Sequence, residues 1–171
     1  MCREKNRMVL TMRVFDCHVH VFPDKIAEET VEALGAEAGI APAYNGTRAG
    51  LLASMQKAGI DGALNCPIAT KPQQVDSINR WAADQNHWPM LSLGSIHPDT
   101  ADPESCLAGV AEAELTGIKL HPEYQAFTLD DPRMNPIWSV CEARGLVIML
   151  HAGADIAFTP PFRSDPAGIR A

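Results

Sequence analysis

The strongest constraint on the fold is the alternation of short apolar segments with amphipathic, helix-like segments along the chain. Apolar runs occupy residues 13–21, 60–68, 90–96, 117–121 and 146–151. Helical patterns lie between them, at residues 24–38, 47–58, 72–85, 103–115 and 132–143. This order with short connections is typical of a parallel sheet whose strands are joined by crossover helices. The sequence therefore predicts an α/β protein.

The ends of the predicted helices carry signals that mark their boundaries. Thr47 is placed as an N-cap and Pro103 in a first helical turn, positions that favour these residue types. Gly59, Gly117 and Gly145 come just after predicted helix ends, where a left-handed residue is favoured. These signals support a repeating βα organisation.

An open doubly wound sheet and a (β/α)8 barrel both produce this order of elements. The first strand is followed by neither a G-x-G-x-x-G sequence nor a P-loop, so no phosphate-binding motif supports the doubly wound fold. Histidines at strand ends favour the barrel, because barrel active sites lie at the C-terminal ends of the strands. We expect an α/β fold of the (β/α)8 TIM-barrel type, with about the first five βα units present.

The composition disfavours several classes of partner. A net charge of −7 argues against a nucleic-acid backbone as the main partner. The longest apolar run, residues 146–150, is too short to cross a bilayer, and the polar residues 1–7 do not lead into a secretory segment. We expect a cytoplasmic protein that acts on a small molecule and binds neither nucleic acid nor a membrane.

The cysteines form neither a disulfide pattern nor a zinc-binding pattern. The 5 cysteines are scattered, odd in number and without a C-x-x-C pair, which is typical of reduced thiols in a cytosolic protein. Cys17, Cys66 and Cys141 have apolar neighbours and are interpreted as small core residues.

The first strand carries two histidines at alternate positions. In the segment Asp16-Cys17-His18-Val19-His20, alternate side chains share a face of the strand, so the acidic residue and both histidines are expected together. Polar groups on a buried face are costly unless they are paired or bind a metal. Because both imidazoles can reach the mouth of a barrel, the pattern predicts a metal site rather than simple capping of a strand end.

Two later strands also end in candidate site residues. The strand at 146–151 is apolar until His151, as in a strand that is buried on both faces and carries a functional group at its end. Lys119 and His121 share one face of the strand at 117–121. An inward lysine must be paired or chemically modified, although solvation at the barrel rim is the structural alternative for both residues. We interpret Lys119 and His121 as candidate catalytic residues.

Three segments resemble the amidohydrolase-related family of the amidohydrolase superfamily, a group of carboxylic-acid decarboxylases and related hydrolases. They are residues 15–23 (FDCHVHVFP), 117–122 (GIKLHP) and 145–153 (GLVIMLHAG), in the order and separation of that family. The resemblance implies a metal-dependent barrel in which His18, His20 and His151 bind a divalent metal, zinc or alternatively manganese. Lys119 stands near a lysine that, in some members of the superfamily, is carboxylated and bridges two metals.

The resemblance also implies the chemistry. The metal would activate a water for hydrolysis or bind a substrate carboxylate for decarboxylation. We therefore expect a hydrolase or carboxy-lyase that acts on a small carboxylated or cyclic substrate. Tyr124 and Arg163 are candidates for binding a substrate carboxylate, with ordinary surface-loop positions as the alternative.

The family pattern continues with a histidine on the sixth strand and an aspartate on the eighth, and a whole barrel needs about 250 residues. We expect residues 1–171 to be a single partial barrel domain, truncated after the fifth strand, in which residues 1–11 are a disordered extension. Its open sheet edges predict self-association. The alternatives are a non-catalytic remnant and a TatD-type metal-dependent nuclease. The nuclease pattern requires a glutamate on the fourth strand, where this chain has Lys119 and His121.

Overall fold

A computed structural model of the chain describes residues 12–164 as strands and helices in βα order. The strands are β1 Phe15–Val19, β2 Gly62–Asn65, β3 Met90–Ser92, β4 Gly94–Ser95, β5 Gly117–Leu120 and β6 Val147–Leu150. The helices are α1 Asp24–Ala38, α2 Arg48–Ala58, α3 Val75–Gln85, α4 Pro103–Glu112, α5 Pro122–Gln125 and α6 Asn135–Arg144. All five predicted strands and the helices between them are present, and the short helix α5 is an addition.

Every strand pairing in the described residues is parallel. One sheet has the order β1-β2-β3 and the other the order β4-β5-β6. β3 and β4 are two halves of the single strand predicted at 90–96, separated at Leu93, whose N–H donates to the carbonyl of Asn65. The first half pairs with β2 and the second half with β5. The two sheets thus form one continuous arc of five barrel strands, and the prediction of a partial (β/α)8-type fold is confirmed.

The core lies between this arc and the helices outside it. The larger apolar cluster packs β5 against α4 and α6, through residues that include Leu107, Val110, Ile118 and Ile137. A second cluster, which includes Val19, Val21, Leu51, Met55 and Ala63, packs β1 and β2 against α2. Burial of these side chains fixes which face of each strand points away from the helices and therefore positions the polar residues at the strand ends.

β1 departs from strict alternation. Between Asp16 and Val19 its register advances by three residues while that of β2 advances by two, which is a β-bulge. The bulge interrupts the pattern that placed three polar side chains on one face. Cys17 is exposed, so its interpretation as a core residue is wrong, whereas Cys66 and Cys141 are buried as predicted.

The edge strands are less covered than the central one. All four residues of β5 are buried, whereas Val147 of β6 is exposed and the rest of β6 is half-buried. The prediction that this last strand is buried on both faces is therefore wrong. Within residues 12–164, β6 pairs only with β5 and β1 only with β2. Self-association through these edges stays a prediction.

The glycines illustrate two different backbone requirements. Gly59 and Gly145 adopt left-handed conformations after helices α2 and α6, as predicted. Gly117 does not, because Glu114 supplies the left-handed residue after α4 with a φ of 56°. Gly117 lies in β5, where an added Cβ would overlap the backbone of Val147. Close approach of two strands, rather than a helix end, explains this glycine.

Two further expectations concern the limits of the described chain. The extension predicted for residues 1–11 lies outside the described residues, as does Cys2. The single-domain assignment stays a prediction.

The four other cysteines are free thiols. Across residues 12–164, no helix combines the length and apolar character that a membrane crossing requires.

Candidate active site

The candidate residues meet at one rim of the arc, where the parallel strands end. His18 and His20 lie in and just after β1, and His151 directly follows β6. Lys119 lies in β5, and His121 directly follows it. Because neighbouring strands run in the same direction, their C-terminal ends meet at the same edge of the sheet. The fold therefore brings three separate segments of the sequence to one mouth.

The first half of the site is formed by β1 and β5. The ring centroids of His18 and His20 lie 5.0 Å apart. His18 Nε2 lies 3.4 Å from Lys119 Nζ across the arc. The Asp16 carboxylate bonds the backbone of its own strand, because its Oδ1 accepts the backbone N–H of His18 at 3.0 Å. The Tyr44 hydroxyl donates to the carbonyl of His20 at 2.7 Å and fixes the backbone there.

The second half of the site is a compact group formed by His121, His151 and Asp155. The two imidazoles stack with centroids 4.1 Å apart and an interplanar angle of 16°. Asp155 Oδ2 lies 3.1 Å from His121 Nε2 and 3.7 Å from His151 Nε2. One ligand atom from each residue lies within 4.8 Å of the others, so the three residues can hold a metal ion. His18 and His20 do not belong to this group in the described chain.

Sequence reasoning missed Asp155. It lies in the loop after β6, four residues beyond His151, and this loop returns so that Gly153 N–H donates to the carbonyl of Ser164. Asp155 Oδ1 also accepts the N–H of Ala157 at 2.8 Å, which holds the carboxylate in place. No strand or helix periodicity reaches this loop. The only available signal was an acidic residue close behind a strand-ending histidine.

The state of His151 fits a metal-binding role. Its Nε2 is buried and has no hydrogen-bond partner among the described residues. A buried polar atom without a partner is costly, and a bound ion or water is a common explanation. Imidazole nitrogen and carboxylate oxygen are common ligands of zinc, and imidazole and carboxylate groups also bind manganese. The residues at this mouth therefore fit a divalent metal.

Burial keeps the neighbouring imidazoles neutral. Burial, and then the proximity of His18 and Lys119, lowers the pKa of His20 to about 4. Burial, and then the proximity of His151, lowers the pKa of His121 to about 4, although Asp155 opposes this shift. Metal binding requires neutral imidazole. Both rings are therefore uncharged at neutral pH without any metal.

Lys119 points into the site, as the sequence predicted, and its side chain is almost completely enclosed. It is 1% exposed, and burial lowers the pKa of its ammonium. Its nearest hydrogen-bonding atom is His18 Nε2, and no carboxylate forms an ion pair with it within residues 12–164. An enclosed amine without an anionic partner is unusual in a purely structural position.

The two predicted substrate-binding residues lie beside the second half of the site. Tyr124 packs its ring edge-on against His121, with centroids 4.6 Å apart, and against Phe158 at 4.9 Å. Arg163 is paired with buried Glu123, whose Oε2 accepts from the guanidinium at 2.9 Å and whose Oε1 accepts the Arg163 backbone N–H. Sequence reasoning missed Glu123. The ion pair holds the end of the loop that carries Asp155, and binding of substrate by either residue stays a prediction.

These observations define an α/β protein of the TIM-barrel type with a histidine-rich mouth that fits a divalent metal. A family model described as amidohydrolase matches residues 15–170. The chain belongs to this amidohydrolase family. No protein with curated function matches the sequence significantly.

Solved structures show the same fold. The chain resembles 5-carboxyvanillate decarboxylase from Sphingomonas paucimobilis, with a TM-score of 0.57 and 20% identity over 83% of this chain and 52% of that one. 5-Carboxyvanillate decarboxylase from Novosphingobium aromaticivorans was solved with manganese and 4-hydroxy-3-methoxy-5-nitrobenzoic acid. It gives a TM-score of 0.60 and 17% identity over 82% of this chain and 50% of that one. A TIM-barrel protein from Bordetella bronchiseptica gives a TM-score of 0.60 and 14% identity over 85% of this chain and 57% of that one. At these identities the likeness is one of fold. The chain spans about half the length of these proteins.

Proposed function

We propose that the protein is a metal-dependent hydrolase or carboxy-lyase whose metal is held at the histidine-rich mouth. The observation that carries the proposal is the buried Nε2 of His151, which has no hydrogen-bond partner within residues 12–164 and lies 3.7 Å from Asp155 Oδ2. We assign His18, His20 and His151 as imidazole ligands and add Asp155 as the carboxylate that balances part of the metal's charge. Lys119 lies beside this set, with its Nζ 3.4 Å from His18 Nε2.

His121 positions Asp155 in this proposal, because both of its ring nitrogens are engaged in hydrogen bonds. Its Nδ1 faces the N–H of Tyr124 at 3.5 Å and therefore acts as an acceptor. Its Nε2 faces Asp155 Oδ2 at 3.1 Å, so the proton of the neutral ring resides on Nε2. Asp155 accepts this N–H and fixes the orientation of the ring. Lys119 is the proton-transfer candidate, because burial lowers the pKa of its ammonium and its Nζ lies 3.4 Å from His18 Nε2 inside the site.

The metal and the side chains have different roles in this proposal. When bound, the ion supplies Lewis acidity for a water or a substrate oxygen. The side chains orient the substrate and hold the proton at His121 Nε2. We assign a small carboxylated or cyclic substrate, with Tyr124 forming one wall and the Arg163 guanidinium, which is partly exposed, offering a contact for a carboxylate. Manganese is the first metal to test, because a similar decarboxylase was solved with it, and zinc is the second.

Metal titration tests the proposal. The purified chain is stripped with a chelator and titrated with Mn²⁺, and free Mn²⁺ is followed by electron paramagnetic resonance. We expect a specific site whose affinity falls by more than about 100-fold in His151→Ala, beyond the loss caused by removing an outer partner. His18→Ala and Asp155→Ala test whether these residues complete the ligand set.

The matched control is His87→Ala, which removes an exposed histidine outside the site. Equal affinity in His151→Ala and His87→Ala would contradict the proposed site. Release of carbon dioxide from 5-carboxyvanillate, compared with hydrolysis of cyclic amides, then separates the carboxy-lyase from the hydrolase.

A further inference from the structure

Gln125 connects the ends of three strands behind the site. Its side chain is 1% exposed. The amide Nε2 donates to the carbonyls of Ala69, after β2, and Ile96, after β4, at 2.8 Å and 2.7 Å. The amide Oε1 accepts the backbone N–H of His121 at 2.8 Å. Both N–H groups of the amide and its oxygen are therefore engaged, each by the main chain of a different strand end.

The bond to His121 has a specific consequence for the site. His121 is the N-cap of the short helix α5, with φ −136° and ψ 96°, and its ring lies between Tyr124 and His151. Gln125 bonds both backbone groups of His121. Its side-chain oxygen accepts the His121 N–H, and its own backbone N–H donates to the His121 carbonyl. The backbone of His121 is thereby fixed relative to its neighbours in the arc.

We propose that Gln125 is a positioning residue that sets the His121 imidazole against His151 and Asp155. This inference rests on the proposed function for its importance in metal binding. No other side chain among the described residues bonds the His121 backbone N–H. A glutamine that merely filled space would need only its volume, whereas this one matches three main-chain groups with three amide atoms. Loss of the amide leaves these groups unpaired and frees the residue that carries the ring.

Two substitutions at Gln125 separate volume from hydrogen bonding. Gln125→Met keeps the approximate volume and removes all three bonds. Gln125→Glu keeps an acceptor for His121 and, when the enclosed carboxyl is protonated, one donor for a carbonyl. The matched control is Asn79→Leu, which removes a side chain that exchanges hydrogen bonds with the Ser95 backbone at 2.8 Å and 3.0 Å but does not contact the site.

The primary readout is the ¹³C and ¹⁵N spectrum of the His121 imidazole in the metal-free chain. The second is Mn²⁺ affinity under conditions in which every variant is folded. Gln125→Met is expected to shift the His121 resonances and to weaken Mn²⁺ binding through the His121–Asp155 hydrogen bond. Loss of an outer partner of a ligand weakens metal binding by about 10- to 100-fold, which is the upper limit here. Gln125→Glu is expected to restore most of both properties. Asn79→Leu is expected to lower stability and change neither.

The outcomes distinguish this inference from the proposed function. If the unsubstituted chain binds Mn²⁺ and Gln125→Met leaves the His121 spectrum and the affinity unchanged, the inference is overturned and the proposed function stands. If Asn79→Leu shifts the His121 spectrum as far as Gln125→Met does, the role of Gln125 is general stability and the inference is again overturned. If the unsubstituted chain binds no Mn²⁺, the proposed function fails, and the imidazole spectrum still decides whether Gln125 positions the ring.

Discussion

Acidification of the metal-free protein should destabilise it before its carboxylates titrate. The pKa of His20 and that of His121 are each lowered from 6.5 to about 4, mainly by burial. The unfolded chain therefore binds more protons than the folded chain between about pH 6.5 and pH 4. Stability is greatest above pH 6.5 and is lost as the pH falls through this window. At about 1.4 kcal/mol for each pH unit between the two pKa values, each histidine contributes up to about 3 kcal/mol.

The two contributions are large compared with the total stability of a domain, which is typically about 5–15 kcal/mol. The assay is urea unfolding at a series of pH values from 7.5 to 5, with a chelator present to remove metal. We expect the free energy of unfolding to fall by several kcal/mol over this range. His121→Gln should flatten the pH dependence, because it removes one of the titrating rings.

His87→Gln is the matched control, since this histidine is exposed and lies outside the site. It should leave the pH dependence as it is. A free energy of unfolding that is constant between pH 7.5 and pH 5 would refute the argument that burial holds these rings neutral. Equal pH dependence in His121→Gln and the unsubstituted chain would refute the assignment to His121.

Four further substitutions test other contacts of the fold, each by urea unfolding at pH 7. Gly117→Ala should lower the free energy of unfolding by about 1–3 kcal/mol or more, because the Cβ would overlap the Val147 backbone. Gly109→Ala, in helix α4 with open space around the added carbon, should raise it by up to about 1 kcal/mol. A stabilising Gly117→Ala together with a destabilising Gly109→Ala would contradict the packing described for these two positions. Lys119→Met should raise the free energy of unfolding by about 1–3 kcal/mol, since it removes an enclosed amine that pairs with no carboxylate in the described part of the chain, and a loss of stability would show that the amine is paired. Arg163→Met should cost about 1–2 kcal/mol because the enclosed Glu123 carboxylate loses its guanidinium partner, whereas no loss would mean that this ion pair does not hold the loop.

Local sequence patterns predicted the repeating strands and helices. They missed the features that depend on contacts between residues distant in the sequence. The strand carrying Lys119 was predicted with its inward face because period-two alternation holds where a strand has neighbours on both sides. β1 was harder, since the bulge near Cys17 reverses the side-chain direction and no residue pattern signals it. Gly117 illustrates the same limit, because the contact that requires a glycine comes from the next strand along the chain.

The candidate site shows a similar division. His18, His20 and His151 were predicted as ligands because histidine in or directly after a buried strand is unusual, and their role stays a prediction. Asp155 and Gln125 were not, because one lies in a loop and the other in a helix of 4 residues, where hydrophobic periodicity carries no information. Their roles depend on how the chain after each strand folds back over the rim.

The most direct test of the metal site is anomalous diffraction from crystals of the protein soaked in Mn²⁺. The account predicts a peak at the mouth of the arc, within about 2.0–2.3 Å of His151 Nε2. Ligand atoms from Asp155 and from the β1 histidines should complete its coordination. Manganese found only on surface carboxylates, with His151 Nε2 still without a partner, would contradict the proposed metal site and the function built on it.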